Sequence, residues 1–449
     1  MNYHLPIPND NARRVVAAWI ILGLLSLVAA GIFSLLLVLA RTPVIQSLIP
    51  FMDFFHVALV VHVNLSVLVW LLAISAALWS LSSNGERPRW DRVSFWLAAA
   101  GAAVMVIAPF AGAGSPQMSN YVPVLDHPLF FAALALFVAG IASHLLRTVV
   151  TKPRLGATLS GPDALKAGIT FSAFIVAAAF LSTWVSYLGV PADMNGQVYF
   201  EFLFWGGGHV IQFSYTLLMM IAWVLLASSS SCRVELTPRL MLVYLLFLCL
   251  PIITVPFLYL AHDIDSAGHR LAFTELMKYG GLSSLPLGLA ILASIWQAQP
   301  ATGEGRYLRA TLNSSVALFA VGGVLGFLIA GLDIVIPAHY HGATVGVTVA
   351  FMGLCYLLLP RLGFGPIPEK MAFWQPYLYG GGQLLHIAGL AWTGGYGVQR
   401  KTAGAAQGVD NFGEIAGMSL MGLGGLISVV GGILFLIVCY KSIRARAAA

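Results

Sequence analysis

Charge is what this sequence has least of. Asp, Glu, Lys and Arg make up 9% of its 449 residues, whereas hydrophobic types make up 59% and the mean hydropathy is +0.87. A soluble globular domain carries roughly 25% charged residues, so a water-soluble fold is excluded and a polytopic membrane protein is indicated. Cysteine is scarce too. Cys232, Cys249, Cys355 and Cys439 form no CxxC pair and sit in or beside apolar segments, so neither a disulfide framework nor a thiolate metal site is indicated. No low-complexity tract, clear internal repeat or stretch of soluble-domain composition occurs, so residues 1–449 read as a single membrane domain. The net charge of +6 marks no nucleic-acid surface, because the cations are scattered over short segments instead of forming one patch.

What is present is a series of long apolar runs. Twelve can be placed, near 14–40, 54–82, 92–114, 128–148, 167–190, 199–228, 238–261, 272–297, 311–332, 338–360, 374–395 and 415–440. Each can cross a hydrocarbon core of ~30 Å as a helix, and helices are required because exposed strand edges do not survive in lipid. The first run follows a polar, Arg-containing N-terminus and is too long for a cleaved signal, so it reads as a retained helix. The 23 Lys and Arg residues test the count. With the N-terminus in the cytoplasm, 18 fall on the cytoplasmic side, and only Arg41, Arg270, Lys278, Arg400 and Lys401 fall on the other. That is the positive-inside bias. It predicts cytoplasmic termini and a multi-pass protein of the cell inner (cytoplasmic) membrane.

Ionisable side chains inside a span mark functional sites, and histidine is the one that recurs. His62, His209, His262, His339, His341 and His386 all lie within or at the ends of apolar runs. His339-Tyr340-His341 is the most telling arrangement. At about 100° per residue, two helical positions two apart diverge by about 200°, so the pair cannot chelate one metal from one helix face. It can serve two sites on opposite sides of the helix. Imidazole is the usual axial ligand of haem iron, and the spacing favours one helix holding two haems back to back. His62 with one of the pair would make a six-coordinate, low-spin haem; the other would hold a five-coordinate haem facing His209. Gly206, Gly207 and Gly208 leave room for a macrocycle or a close backbone approach. Taken singly, each of these histidines reads as well as an interhelical hydrogen-bonding residue. His4 and His144 read as surface residues, His56 and His127 as structural ones.

Together these residues resemble subunit I of the haem-copper oxidase superfamily, which includes cytochrome c oxidases and the large subunits of bacterial nitric oxide reductases. Leu332-Asp333-Ile334-Val335 followed by His339-Tyr340-His341 is similar to the family's tenth span. The resemblance implies an all-α bundle of twelve transmembrane helices with two haems, His339 as axial ligand of the high-spin haem and His341 with His62 as ligands of the low-spin haem. Leu385-His386-Ile387-Ala388-Gly389-Leu390-Ala391 resembles a span-eleven motif, which puts His386 among the cofactor-binding candidates. Arg400-Lys401 stands where the family has an Arg-Arg pair at the haem propionates, and buried carboxylates need paired charge.

The chain departs from the family at the second metal. There a span-six histidine, matched by His209, joins a His-His pair in span seven, which here reads His262-Asp263. Two readings stand open. His209, His262 and Asp263 could bind iron, since two histidines and one carboxylate suit non-haem Fe(II), with copper less favoured. Alternatively the metal is lost and His262-Asp263 only caps the helix; His269 is a further ligand candidate, more distant along the chain. Phe213 replaces a redox tyrosine, Val210-Ile211-Gln212 lacks the carboxylate of the pumping oxidases, and Ala290 stands at a proton-conducting lysine position, with Lys278 and Glu275 nearer the outer end. Phe213 also occupies the place of a reductase glutamate, for which Asp263 or Glu201 would have to substitute.

These departures disfavour a proton-pumping oxygen reductase. They favour an oxidoreductase that passes electrons from low-spin to high-spin haem and reduces a small diatomic gas, nitric oxide before oxygen. With no CxxCH stretch, the electron donor would be a separate cytochrome c-type or cupredoxin-like subunit. The other reading is a non-enzymatic di-haem electron-transfer or gas-sensing subunit without a second metal.

Overall fold

A computed structural model describes residues 3–7, 10–41, 54–83, 87–112, 114–153, 158–329, 334–396 and 411–445. The twelve apolar runs each become a helix: α1 (Asp10–Arg41), α2 (Phe55–Ser82), α3 (Pro88–Ile107), α4 (Pro128–Val150), α5 (Gly161–Gly189), α6 (Gly196–Ser229), α7 (Pro238–Ala261), α8 (Ala267–Trp296), α9 (Glu304–Phe327), α10 (Val335–Arg361), α11 (Glu369–Gly394) and α12 (Phe412–Arg444). Among the described residues, 11 helices are long and apolar enough to cross a membrane. The exception is α11, which is 26 residues long and carries Gln375, Gln383 and His386. A short antiparallel hairpin, β1 (Ser115–Gln117) with β2 (Val124–Asp126), joins α3 to α4.

Three helices are locally irregular, each for a readable reason. In α2 a π-helical turn covers Asn64–Val69, directly after His62. Ser66 Oγ donates to the His62 carbonyl (2.7 Å), and the Asn64 amide donates to Val60 (2.9 Å) and Pro123 (2.7 Å), so side chains take over the displaced backbone bonding. Such π turns occur frequently at functional sites. In α7, Pro251 lacks an N–H and a 3-10 turn over Leu250–Thr254 splits the helix. In α8 the Gly281–Ser284 turn, just before Pro286, does the same.

The chain groups into two compact units. The first comprises Met1–Ile221 and Glu235–Leu292, that is α1–α5, most of α6, α7 and nearly all of α8. Within it α3 packs on α4 through small residues: Gly101 lies against the Ala133–Phe137 backbone, and Gly140 against Ser94 and Ala98. Close approach at small residues is the usual means of helix association in lipid. The same helix pair holds an unexpected polar cluster. Asp91 (1% exposed) and Arg147 (2%) form an ion pair at 2.8 Å, and His144, fully buried, sits 4.0 Å from Asp91. His144 Nε2 lies 3.0 Å from Ser80 Oγ and 3.1 Å from the Ala76 carbonyl, with its ring over Trp19 and Trp79. His144 is therefore a core residue and not the surface residue its position near a span end implied, and Arg147, counted as a loop cation, lies in the last turn of α4. His4 is exposed.

The second unit comprises Ala222–Val234 and Ala293–Ala449. Its strongest pairing is α11 on α12. Gly382 meets Gly424 and Ser428, Gly389 meets Gly417 and Met421, and Gln375 donates to the Gly431 carbonyl at 3.3 Å. Positions 375, 382 and 389 run opposite 431, 424 and 417, so the helices are antiparallel with a seven-residue contact repeat. A repeat of seven keeps one seam in contact, as in coiled coils. Helices α9 and α10 meet in the same way at Gly322 and Gly342.

Candidate functional site

The two histidines at the start of α10 address different helices. His339 turns to α9, where its Nδ1 lies 2.7 Å from the Gly322 carbonyl. Gly326 gives the ring its place: a Cβ there would stand 2.8 Å from the imidazole. His341 turns to α11, its ring centroid 4.8 Å from that of His386 at 58°. The two rings thus have different neighbours within the second unit.

A shared hydrogen-bond pattern marks four of the candidate histidines. Nδ1 faces a backbone carbonyl in His62 (Ala30, 2.9 Å), His209 (Trp205, 2.7 Å), His339 (Gly322, 2.7 Å) and His386 (Met421, 2.9 Å). A carbonyl only accepts, so Nδ1 carries the proton and Nε2 of the neutral ring presents its lone pair. Ligating histidines characteristically donate their other ring N–H in this way, which fixes tautomer and orientation. His62 and His339 therefore fit the demands of an axial haem ligand, and His386 is held with the same tautomer beside His341.

Because Gly322 both accepts from His339 and touches α10, it links packing to the site. A Cβ at Gly322 would stand 2.6 Å from the Gly342 carbonyl carbon, and backbone cannot move aside as a side chain can. We expect Gly322→Ala to lower stability by about 1–3 kcal/mol through overpacking, read from the unfolding midpoint. An unchanged midpoint would show that this helix contact is loose.

His209 lies deep in α6 within the first unit, 4% exposed. Its Nε2 is 2.9 Å from the hydroxyl of Tyr121, which the β1–β2 hairpin delivers, and its ring packs against Trp205 and Phe273. The three glycines before it serve close approach. Gly206 faces Tyr259, Gly207 lies against Ala179 and Thr183 of α5, and the Tyr121 ring fills the space where Gly208 would carry a side chain. Burial first, and then the Glu201 carboxylate, push the Tyr121 phenol far above its usual range.

The second-metal set does not assemble. Among the described residues no group of three or more His, Cys, Asp or Glu could hold a metal ion, so His209, His262 and Asp263 form no three-ligand site. The cause is local: His262 is the extended C-cap residue of α7 (φ −139°, ψ 133°), and Asp263 is exposed, its carbonyl accepting from Ser266 in the turn into α8. His269, fully buried near the start of α8, has no hydrogen-bond partner at either ring nitrogen and packs on Tyr259 and Phe273. Glu201 is bonded to Asn120, and Phe213 is buried against the Gly280 region of α8. Leu332, Asp333, Arg400 and Lys401 lie outside the described residues. Tyr121 is the group that reading the sequence missed. Its one trace there is the glycine triplet, which signals that something approaches α6 without saying what.

Residues 14–434 match the family of cytochrome c and quinol oxidase polypeptide I. The chain is 28% identical to an uncharacterized protein of Rickettsia prowazekii over 95% of both chains, and 29% identical to an uncharacterized protein of Aquifex aeolicus over 80% of this chain and 88% of that one. It is 24% identical to cytochrome c oxidase subunit 1 of Thermus thermophilus, covering 97% of this chain and 85% of that protein. Its fold is similar to that of a heme-copper terminal oxidase solved as a dimer by cryo-electron microscopy, with a TM-score of 0.69 and 17% identity over 99% of this chain and 85% of that one.

Proposed function

The chain belongs to the cytochrome c and quinol oxidase polypeptide I family, and on that premise we propose that it is a di-haem membrane oxidoreductase acting on a small diatomic gas. Bound haems would supply electron storage and, at the high-spin iron, an open coordination position. His62 and His341 would hold the low-spin haem, and His339 the high-spin haem. Arg400 and Lys401 would neutralise the propionates, and His386 would orient His341. The observation that supports this reading is that His339 faces α9, with Nδ1 tied to Gly322, whereas His341 lies beside His386 of α11.

Nitric oxide is the preferred substrate. Joining two NO with two electrons and two protons gives N2O and water, and needs neither a tyrosyl radical nor a pump. Phe213 and the uncharged Val210-Ile211-Gln212 stretch suit that demand. The donor would be a separate cytochrome c-type or cupredoxin-like chain, and the location the cell inner membrane. A second reading, an electron-transfer or gas-sensing subunit without turnover, is favoured by the missing three-ligand metal set.

Carbon monoxide tests the haem assignment. The reduced protein should bind it at about one haem in two, because only an iron held by one histidine keeps a position open. No spectral shift would mean that both irons are six-coordinate, and the gas-binding reading would fall. Turnover of NO under a chemical reductant then separates reductase from sensor.

A further inference from the structure

We infer that the Tyr121 hydroxyl occupies the His209 lone pair that a second metal would need, so that a Tyr121–His209 hydrogen-bonded pair stands there in place of a metal centre. The inference rests on the di-haem reading above.

The argument starts from the tautomer. His209 Nδ1 donates to the Trp205 carbonyl at 2.7 Å, so Nε2 of the neutral ring carries the only lone pair available. Tyr121 Oη sits 2.9 Å from it and donates into it. A metal ligand must offer the same lone pair, and one lone pair serves one occupant. Metal binding at His209 would therefore require Tyr121 to swing away, and the structure anchors it. The Asn120 backbone N–H donates to Glu201 Oε2 at 2.9 Å and its side-chain amide donates to Glu201 Oε1, clamping the loop to α6 two turns before His209. Asn64 of α2 holds the Pro123 carbonyl at 2.7 Å from the other side. The ring rests in the notch at Gly208 and meets the Trp205 ring edge-on at 5.8 Å.

The donor set points the same way. His262 and Asp263 lie in the α7–α8 turn, and among the described residues the fully buried imidazole that shares Phe273 with His209 is His269. Two imidazoles, one of them already bonded, fall short of the three or more protein ligands that bound transition metals use in such sites. What the pair offers instead is a phenol O–H that donates to His209 Nε2, the two rings in contact. It can donate a hydrogen bond but carries no redox-active metal.

Two measurements on the purified, haem-loaded protein test this. After growth with copper and iron in excess, elemental analysis should find far less than one equivalent of copper or of iron beyond the haems. Solid-state NMR of 15N-histidine protein should show a hydrogen-bonded Nε2 signal that disappears in His209→Asn and shifts in Tyr121→Phe, with both haem spectra retained as the control for folding. One equivalent of non-haem metal that is lost in His209→Asn would overturn the inference, as would a His209 signal indifferent to Tyr121→Phe. Loss of haem from the wild type would instead strike the di-haem reading, so the two failures are distinguishable.

Discussion

His62→Ala and His341→Ala should each abolish the sharp reduced band of the low-spin haem while leaving a haem that still binds carbon monoxide, and His339→Ala should do the reverse. The size of the effect follows from ligation: removing one axial imidazole takes the iron from six- to five-coordinate, which changes spin state outright. The selectivity follows from geometry. His339 is tied into α9 through Gly322 and Gly326, whereas His341 is turned to His386 on α11, so neither can take over the other's role without rotating α10. Difference spectra of the three variants, with and without carbon monoxide, check this. A full low-spin band in His341→Ala would transfer the ligand role to His386, whose Nε2 is also left with a lone pair.

Arg147→Ala should destabilise the protein by about 3–5 kcal/mol, because it strands the buried Asp91 carboxylate. Asp91 and Arg147 are 1% and 2% exposed, pair at 2.8 Å, and have His144 as their near neighbour. The double variant Asp91→Leu with Arg147→Met removes both charges and should recover most of that loss, since well-packed apolar groups replace a buried pair at little cost. Unfolding midpoints of the single and double variants decide the matter. If the double is as unstable as the single, the pair does more than satisfy itself, and a role for this intramembrane charge cluster would have to be sought.

The sequence by itself determined the class of protein, the helix count and the family. Those properties are written in local terms: an apolar run long enough for a bilayer, cations gathered on one side, and two histidines set two apart on a helix. Even the α11–α12 seam is local, since Gln375, Gly382 and Gly389 and Gly417, Gly424 and Gly431 each recur every seven residues. Which groups meet across long chain separations was decided only by the tertiary structure. Nothing in the segment around residue 121 announces a partner for His209, because the contact depends on how a hairpin between α3 and α4 lies against α6. The same holds for Asp91, Arg147 and His144, which lie near span ends and look like solvated charge until α3 and α4 close on them. The placing of His209, His262 and Asp263, which form no three-ligand group among the described residues, has a matching reason. Composition supplied the right donor types, but α7 ends at Ala261, and where a helix stops fixes which way the next side chains can reach.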